Sequence, residues 1–124
     1  ITGFTTTEDN YDTDFGIGNG AAAVVTVTTS AAVALNTTAD DIFSFTVDSF
    51  SDTSEAGVIA AISNGSITVS AASHDGIILI DDGTSSYLFE FTASGTDTTL
   101  TALDDTITLV ATFTDEVIVA ADII

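Results

Sequence analysis

Acidic side chains gather in three places along the chain, and these stretches are also rich in glycine, asparagine and threonine. Calcium is a hard cation that binds about six to eight oxygens from carboxylates, backbone carbonyls and water, which such stretches supply. None of the clusters has EF-hand spacing, and a solvated acidic turn is the competing interpretation of each. The predicted calcium ligands are Glu8, Asp9, Asp12 and Asp14 in the first cluster, Asp81 and Asp82 in the second, and Asp97, Asp104 and Asp105 in the third.

Residues that usually carry catalysis are scarce. The chain has a single histidine, His74, between Ser73 and Asp75, and it has no cysteine. A Ser-His-Asp triad is a spatial arrangement that neighbours in sequence do not form, so a histidine in a loop before a strand is the favoured interpretation. One histidine without cysteine cannot build the usual zinc shell either. The sequence therefore predicts that the protein is not an enzyme.

Net charge restricts the possible partners. The chain has 19 Asp and Glu residues and no Lys or Arg, which gives a formal charge of −19 at pH 7. Nucleic acid and anionic membrane surfaces are excluded, because binding either requires cationic side chains. No apolar run approaches the ~20 residues of a membrane-spanning helix, so no membrane insertion is expected. Calcium ions, a basic partner or a high-salt solvent remain to screen charges that would otherwise destabilise a compact chain.

Length and composition predict one folded domain. The chain has 124 residues, of which 45% are hydrophobic, and a chain of this length can bury a sizeable core. We therefore predict a single acidic β domain over residues 1–124. The absence of an initiator methionine predicts a processed chain or a fragment.

Strand patterns dominate the chain. Alternation in residues 42–50 (IFSFTVDSF) puts Phe43 and Phe45 on one face and Ser44 on the other. Residues 76–91 (GIILIDDGTSSYLFEF) predict a hairpin with a turn at Asp-Gly and a first strand that is apolar on both faces, as in the centre of a sheet.

Alternation in residues 105–113 (DTITLVATF) predicts that Ile107, Leu109, Ala111 and Phe113 all point inward. The last nine residues (EVIVAADII) are predicted to form a short apolar strand.

One stretch predicts a helix, residues 52–65. Asp52 and Glu55 fit a capping box, and Asn64–Gly65 is a suitable C-terminal stop. The predicted fold is mainly β, a β-sandwich or β-roll of about seven to nine strands with one short helix near residues 53–63.

The opening stretch, ITGFTTTEDNYDTDFG, resembles the segment that follows the calcium-binding repeats of repeats-in-toxin proteins, D-x-I-x-G-F-x-x-x-x-D-x-I-D-F. The matching residues are Ile1, Gly3, Phe4, Asp9, Asp14 and Phe15, with extra residues between them. Residues 42–124 are similar to the C-terminal regions of such proteins and of related bacterial surface-layer proteins. The G-G-x-G-x-D repeats themselves are absent, so the family's calcium ligands do not carry over as a set.

The resemblance implies export by type I secretion and an extracellular or cell-surface, calcium-rich setting. We therefore expect an extracellular structural protein that self-assembles into a surface layer or filament, with calcium bridging acidic surfaces. Its partners would be copies of itself, joined by strand addition through residues 116–124 or 24–27, since an apolar strand can extend a neighbour's sheet. Pairing of both strands within their own domain is the competing interpretation.

Two alternatives stay open at the level of the sequence. The chain would be an accessory C-terminal secretion and folding module of a larger secreted enzyme or adhesin, or a halophile surface protein whose acidity is an adaptation to salt. Polymers formed by the isolated chain would argue against the accessory module, and stability in monovalent salt alone would favour the halophile.

Overall fold

The computed structural model describes residues 25–26, 33–35, 42–63, 67–69, 75–93, 99–100 and 105–123. These residues are mainly β with one α-helix, which confirms the predicted class. Four strands have five residues or more, fewer long strands than the seven to nine expected. The elements are β1 (Val25–Thr26), β2 (Val33–Leu35), β3 (Ile42–Thr46), α1 (Glu55–Ile62), β4 (Ile67–Val69), β5 (Asp75–Asp81), β6 (Ser86–Thr92), β7 (Thr99–Leu100), β8 (Thr106–Phe113) and a short 3-10 helix (Ala120–Asp122).

The strands form two sheets. The main sheet has the order β1-β3-β5-β6-β8, and the small sheet has the order β2-β4-β7. In the main sheet β1, β3 and β5 are parallel, whereas β5, β6 and β8 pair antiparallel. Residues Ile77 to Ile80 of β5 are buried on both faces, so the prediction of a central strand is confirmed.

The predicted hairpin joins β5 to β6. Its turn closes with a hydrogen bond of 3.0 Å from the backbone N–H of Asp82 to the carbonyl of Ser85. Gly83 has a φ of 89°, a left-handed conformation that glycine adopts without steric cost. The Asp-Gly signal therefore located the turn correctly.

Helix α1 begins two residues later than a cap at Asp52 would require. Ser54 is the N-cap, and its hydroxyl accepts a hydrogen bond of 3.1 Å from the backbone N–H of Gly57. Asp52 supports that cap, because its carboxylate accepts from both the backbone N–H and the hydroxyl of Ser54. The capping box predicted for Asp52 and Glu55 is therefore wrong. The predicted stop at residues 64–65 lies outside the described residues.

One side of the main sheet, called the first face, packs against α1 and the small sheet in a single core. Val58 and Ile62 contribute from the helix, and Leu35, Ile67 and Val69 contribute from the small sheet. The first face itself consists of Phe43, Phe45, Ile78, Ile80, Phe89, Phe91 and Ile107.

The opposite side, called the second face, consists of Ile42, Ile77, Leu79, Leu88, Ala111 and Phe113. It packs against Ile118, Ala120 and Ile123 of residues 116–123, called here the C-terminal segment.

The prediction that the chain ends in a strand is therefore wrong for the described part of the C-terminal segment. Asp115 precedes it with a φ of 58°, and the segment contains a 3-10 helix instead of a ladder of strand pairs. The backbone N–H of Ile118 donates to the hydroxyl of Ser86 at 3.0 Å, and the apolar side chains cover the second face. The apolar residues of this segment are buried against the second face without forming a strand. Hydrophobic periodicity alone cannot distinguish such a covering segment from a strand.

A β-bulge in β8 shows that the prediction of one inward-facing set of residues along that strand is wrong. Phe89 pairs with Leu109, but the preceding residue of β6, Leu88, pairs with Ala111, so Val110 is an extra residue in β8. Because side chains alternate along a strand, one extra residue moves everything beyond it to the other face. Ile107 consequently joins the core of the first face, whereas Ala111 and Phe113 join that of the second.

Candidate functional site

The β5–β6 turn brings together two of the predicted calcium ligands. The Asp81 Oδ1 atom accepts a hydrogen bond from the backbone N–H of Gly83 at 2.6 Å. The Asp82 Oδ1 atom accepts from the backbone N–H groups of Thr84, at 2.9 Å, and Ser85, at 2.7 Å. Such bonds are what Asp makes in an ordinary turn, so the turn itself accounts for both residues.

Asp82 also contacts the ring of the next strand. Its Oδ2 atom accepts a hydrogen bond of 3.2 Å from the Tyr87 hydroxyl. The hydrogen bond from Ser85 holds the pKa of Asp82 below its ordinary value, and partial burial opposes that shift. Burial raises the pKa of Tyr87, and the hydrogen bond to Asp82 adds to the rise. The Asp82 carboxylate is therefore ionised at neutral pH, with both oxygens already engaged.

The other predicted ligands are not brought to this turn within the described residues. Asp105 is buried, with 6% of its surface exposed, beside the start of β8. That start pairs with the far end of β6, since Thr106 lies opposite Thr92. Among the described residues, no group of three or more His, Cys, Asp or Glu side chains is arranged to hold a metal ion. The ligands outside the described residues are Glu8, Asp9, Asp12, Asp14, Asp97 and Asp104.

The edge of the main sheet at β8 is the second feature that can support a function. This strand has eight residues and lies at the end of the order of the described strands. Leu109 is 39% exposed and Val110 is 43% exposed, although both are large apolar residues. The alternating sequence pointed Leu109 inward, and no local signal marks the bulge that places this pair at the surface.

The beginning of the same edge is covered by a charge. The Glu55 carboxylate, at the start of α1, accepts a hydrogen bond of 3.1 Å from the backbone N–H of Ile107. A backbone N–H engaged in this way is not available to a strand from another chain, and the negative charge beside the edge also opposes pairing. Leu109 and Val110 are therefore the exposed apolar residues of β8, and they lie beyond the point that Glu55 covers.

Comparison of the chain with protein-family profiles, with curated proteins and with solved structures found no match. The described residues contain no helix that is both long and apolar enough to cross a membrane.

Proposed function

We propose that this protein is a non-enzymatic, extracellular structural protein that self-assembles into a surface layer or filament, with calcium between acidic surfaces. The exposed apolar pair Leu109 and Val110 on edge strand β8 is the observation that carries the proposal. The extracellular setting and type I export rest on the resemblance of residues 1–15 and 42–124 to repeats-in-toxin and surface-layer proteins.

Strand addition explains why an edge strand suits assembly. An edge strand presents backbone N–H and C=O groups that a strand from another copy can pair with. Side chains near the joint then add apolar contact, which Leu109 and Val110 offer. Within each copy we propose a β-sandwich, because the main and small sheets contribute to one core.

Charge sets the condition for assembly. Each copy carries a formal charge of −19, and the chain has no Lys or Arg to neutralise it. Bringing copies together therefore requires cations between them, and divalent cations bind carboxylate oxygens directly.

A pair of lysine variants tests the edge. Val110→Lys puts a cation on the bulge, whereas Ala60→Lys makes the same charge change at an exposed position of α1. We expect the wild-type chain and Ala60→Lys to form ordered polymers in calcium, and Val110→Lys to remain dispersed, as seen by negative-stain microscopy and sedimentation. Equal polymerisation of both variants would show that β8 does not form the contact between copies.

Chelation tests the calcium requirement and the accessory alternative. At constant ionic strength we expect chelator to lower the melting temperature and dissolve the polymers, because it removes the divalent ions that bind the carboxylates directly. An unchanged melting temperature would exclude the calcium part of the proposal. A wild-type chain that stays monomeric in calcium would favour an accessory module of a larger secreted protein.

A further inference from the structure

A cleft of about 380 Å³ lies between the second face of the main sheet and the C-terminal segment. Its floor includes Ser44 and Thr46 of β3 and Leu79 and Asp81 of β5, and its wall is formed by residues 117–121. Ligand pockets for small molecules start at roughly this volume and combine apolar walls with a few placed polar groups.

The parallel pairing of β3 and β5 places these floor residues together. Ser44 lies opposite Leu79, and Thr46 lies opposite Asp81. All four belong to the second face, because they alternate with the Phe43 row of the first face. The second face is thus apolar at Ile42 and becomes polar toward the ends of the two strands.

The Ser44 hydroxyl is the first sign that the cleft accepts a ligand. Its oxygen is buried and has no hydrogen-bond partner in the protein. Buried polar atoms are nearly always paired, so an unpaired one next to a cleft calls for a partner from outside the chain.

The Asp81 carboxylate is the second sign. The backbone carbonyl of Asp81 accepts from the N–H of Val47 at 2.8 Å, and its Oδ1 atom accepts from the N–H of Gly83. These two hydrogen bonds fix the position of the Asp81 carboxylate at the end of β5. No Lys or Arg exists anywhere in the chain to pair with it, so its charge complements a cationic ligand and repels an anion.

The wall selects an organic cation over an inorganic one. Side chains of Leu79, Val117 and Val119 supply hydrocarbon surface and no oxygen ligands. A metal ion that needs about six oxygens would gain nothing from them. A ligand with an aliphatic body instead buries apolar surface against them.

We propose that this cleft binds a small aliphatic primary amine in its ammonium form. The ammonium pairs with the Asp81 carboxylate and donates a hydrogen bond to the Ser44 hydroxyl, while the hydrocarbon chain lies against Leu79, Val117 and Val119. Ser44 and Asp81 are diagonal neighbours on the adjacent parallel strands β3 and β5, so one ammonium group placed between their side chains can hydrogen-bond to both.

The probe for the test is n-hexylamine, titrated calorimetrically at physiological ionic strength. Asp81→Asn keeps an oxygen for the N–H of Gly83 but removes the charge, and Asp48→Asn is the matched control, because Asp48 is exposed and loses the same charge. We expect saturable binding that weakens about tenfold or more in Asp81→Asn and stays unchanged in Asp48→Asn. n-Hexanol, which lacks the cation, is expected to bind at least about tenfold more weakly.

Ser44→Ala gives a second arm that leaves the β5–β6 turn intact. Loss of one hydrogen bond to an ammonium is expected to weaken hexylamine binding about tenfold. In the wild type, amide chemical shifts of residues 117–121 should move on titration, which places the ligand in the cleft. Binding that is non-saturable, or that weakens equally in Asp81→Asn and Asp48→Asn, would reduce the effect to general attraction by the net charge and overturn the proposal. An unaltered affinity in Ser44→Ala would overturn it as well.

Discussion

The two faces of the main sheet are covered in different ways. The first face carries four fully buried phenylalanines, Phe43, Phe45, Phe89 and Phe91, under a helix and a second sheet. The buried core of the second face is aliphatic apart from Phe113, and a segment of eight residues covers it and leaves a cleft beside Ser44. The contrast suggests that the first face supplies most of the stability, and that the second face has room for binding.

Aromatic geometry supports this division. On the first face the ring of Phe50 meets the rings of Tyr87, at 5.1 Å, and Phe89, at 6.0 Å, both edge to face. Phe43 and Phe91 lie 6.0 Å apart between ring centres. Such pairs contribute about 0.5–1.5 kcal/mol each beyond the area that they bury. These three pairs lie on the first face.

Truncation of each core gives the largest expected effect. Phe89→Ala should lower the free energy of unfolding by about 3–5 kcal/mol, because it leaves a cavity among packed rings. Ile118→Ala should cost about 2 kcal/mol, at the low end for such a change, since the C-terminal segment can settle into the space. Urea unfolding followed by circular dichroism measures both. If Ile118→Ala costs as much as Phe89→Ala, the division between the faces fails.

The attachment of the C-terminal segment is the next test. Ser86 is fully buried, and its hydroxyl accepts from the backbone N–H of Ile118. Ser86→Ala leaves that N–H without its acceptor and should cost about 1–3 kcal/mol. Ser85→Ala is the control, because Ser85 accepts from the N–H of Asp115 in an exposed position, and its loss should cost less than about 1 kcal/mol. Equal losses in the two variants would mean that the buried bond does not hold the cover.

The start of α1 tests the cover of the first face. A Cβ at Gly57 would lie 2.5 Å from the carbonyl oxygen of Asp52 and would also meet its carboxylate. Gly57→Ala should therefore destabilise the fold by about 1 kcal/mol, although alanine gains about 1 kcal/mol in helix propensity. Ala60→Gly, at an exposed position of the same helix, should lose about 1 kcal/mol by propensity alone. If Gly57→Ala instead stabilises the fold, the loop before α1 moves to make room for the new Cβ and does not anchor the helix.

The smallest effect concerns the pH dependence of the β5–β6 turn. Because the folded-state pKa of Asp82 is lowered, its ionised form adds stability above the unfolded pKa of about 3.9. That stability disappears as the pH falls through the still lower folded pKa. Asp82→Asn should therefore cost about 0.5–1 kcal/mol at pH 7 and almost nothing below the folded pKa.

Asp48→Asn serves as the reference for that measurement, since it removes the same charge from an exposed position. The gap between the two variants in urea midpoint should close on acidification. If the difference in urea midpoint between the two variants stays constant from pH 7 to acid, the charge of the Asp82 carboxylate does not stabilise the turn.

Local signals predicted several elements correctly. The apolar run in β5, the Asp-Gly turn and the returning strand β6 depend on neighbouring residues, so the hairpin was readable. The buried side of α1, with Val58 and Ile62, was readable from helical spacing as well. The predicted ligands Asp81 and Asp82 do lie together, but the pattern could not show that backbone N–H groups engage both.

Other features depended on distant parts of the chain. The bulge at Val110 exists because β8 pairs with β6 out of register at one point, and nothing in residues 105–113 reveals it. The sequence of the C-terminal segment predicted a strand, yet the segment covers the second face. It is held there by the hydrogen bond from Ile118 to the Ser86 hydroxyl and by apolar packing on that face. Alternation placed Ser44 on the face opposite Phe43 and Phe45, but only the packing of the C-terminal segment forms a cleft above its hydroxyl.

By itself the sequence determined the β class, the hairpin, one helix and a charge of −19 that no basic side chain offsets. These follow from side-chain type and spacing over a few residues. Only the tertiary structure decided which apolar residues stay exposed, which face each half of β8 joins and where the cleft opens. Those outcomes depend on pairing register and on which segment reaches a face, and both are decided by contacts between residues that are far apart along the chain.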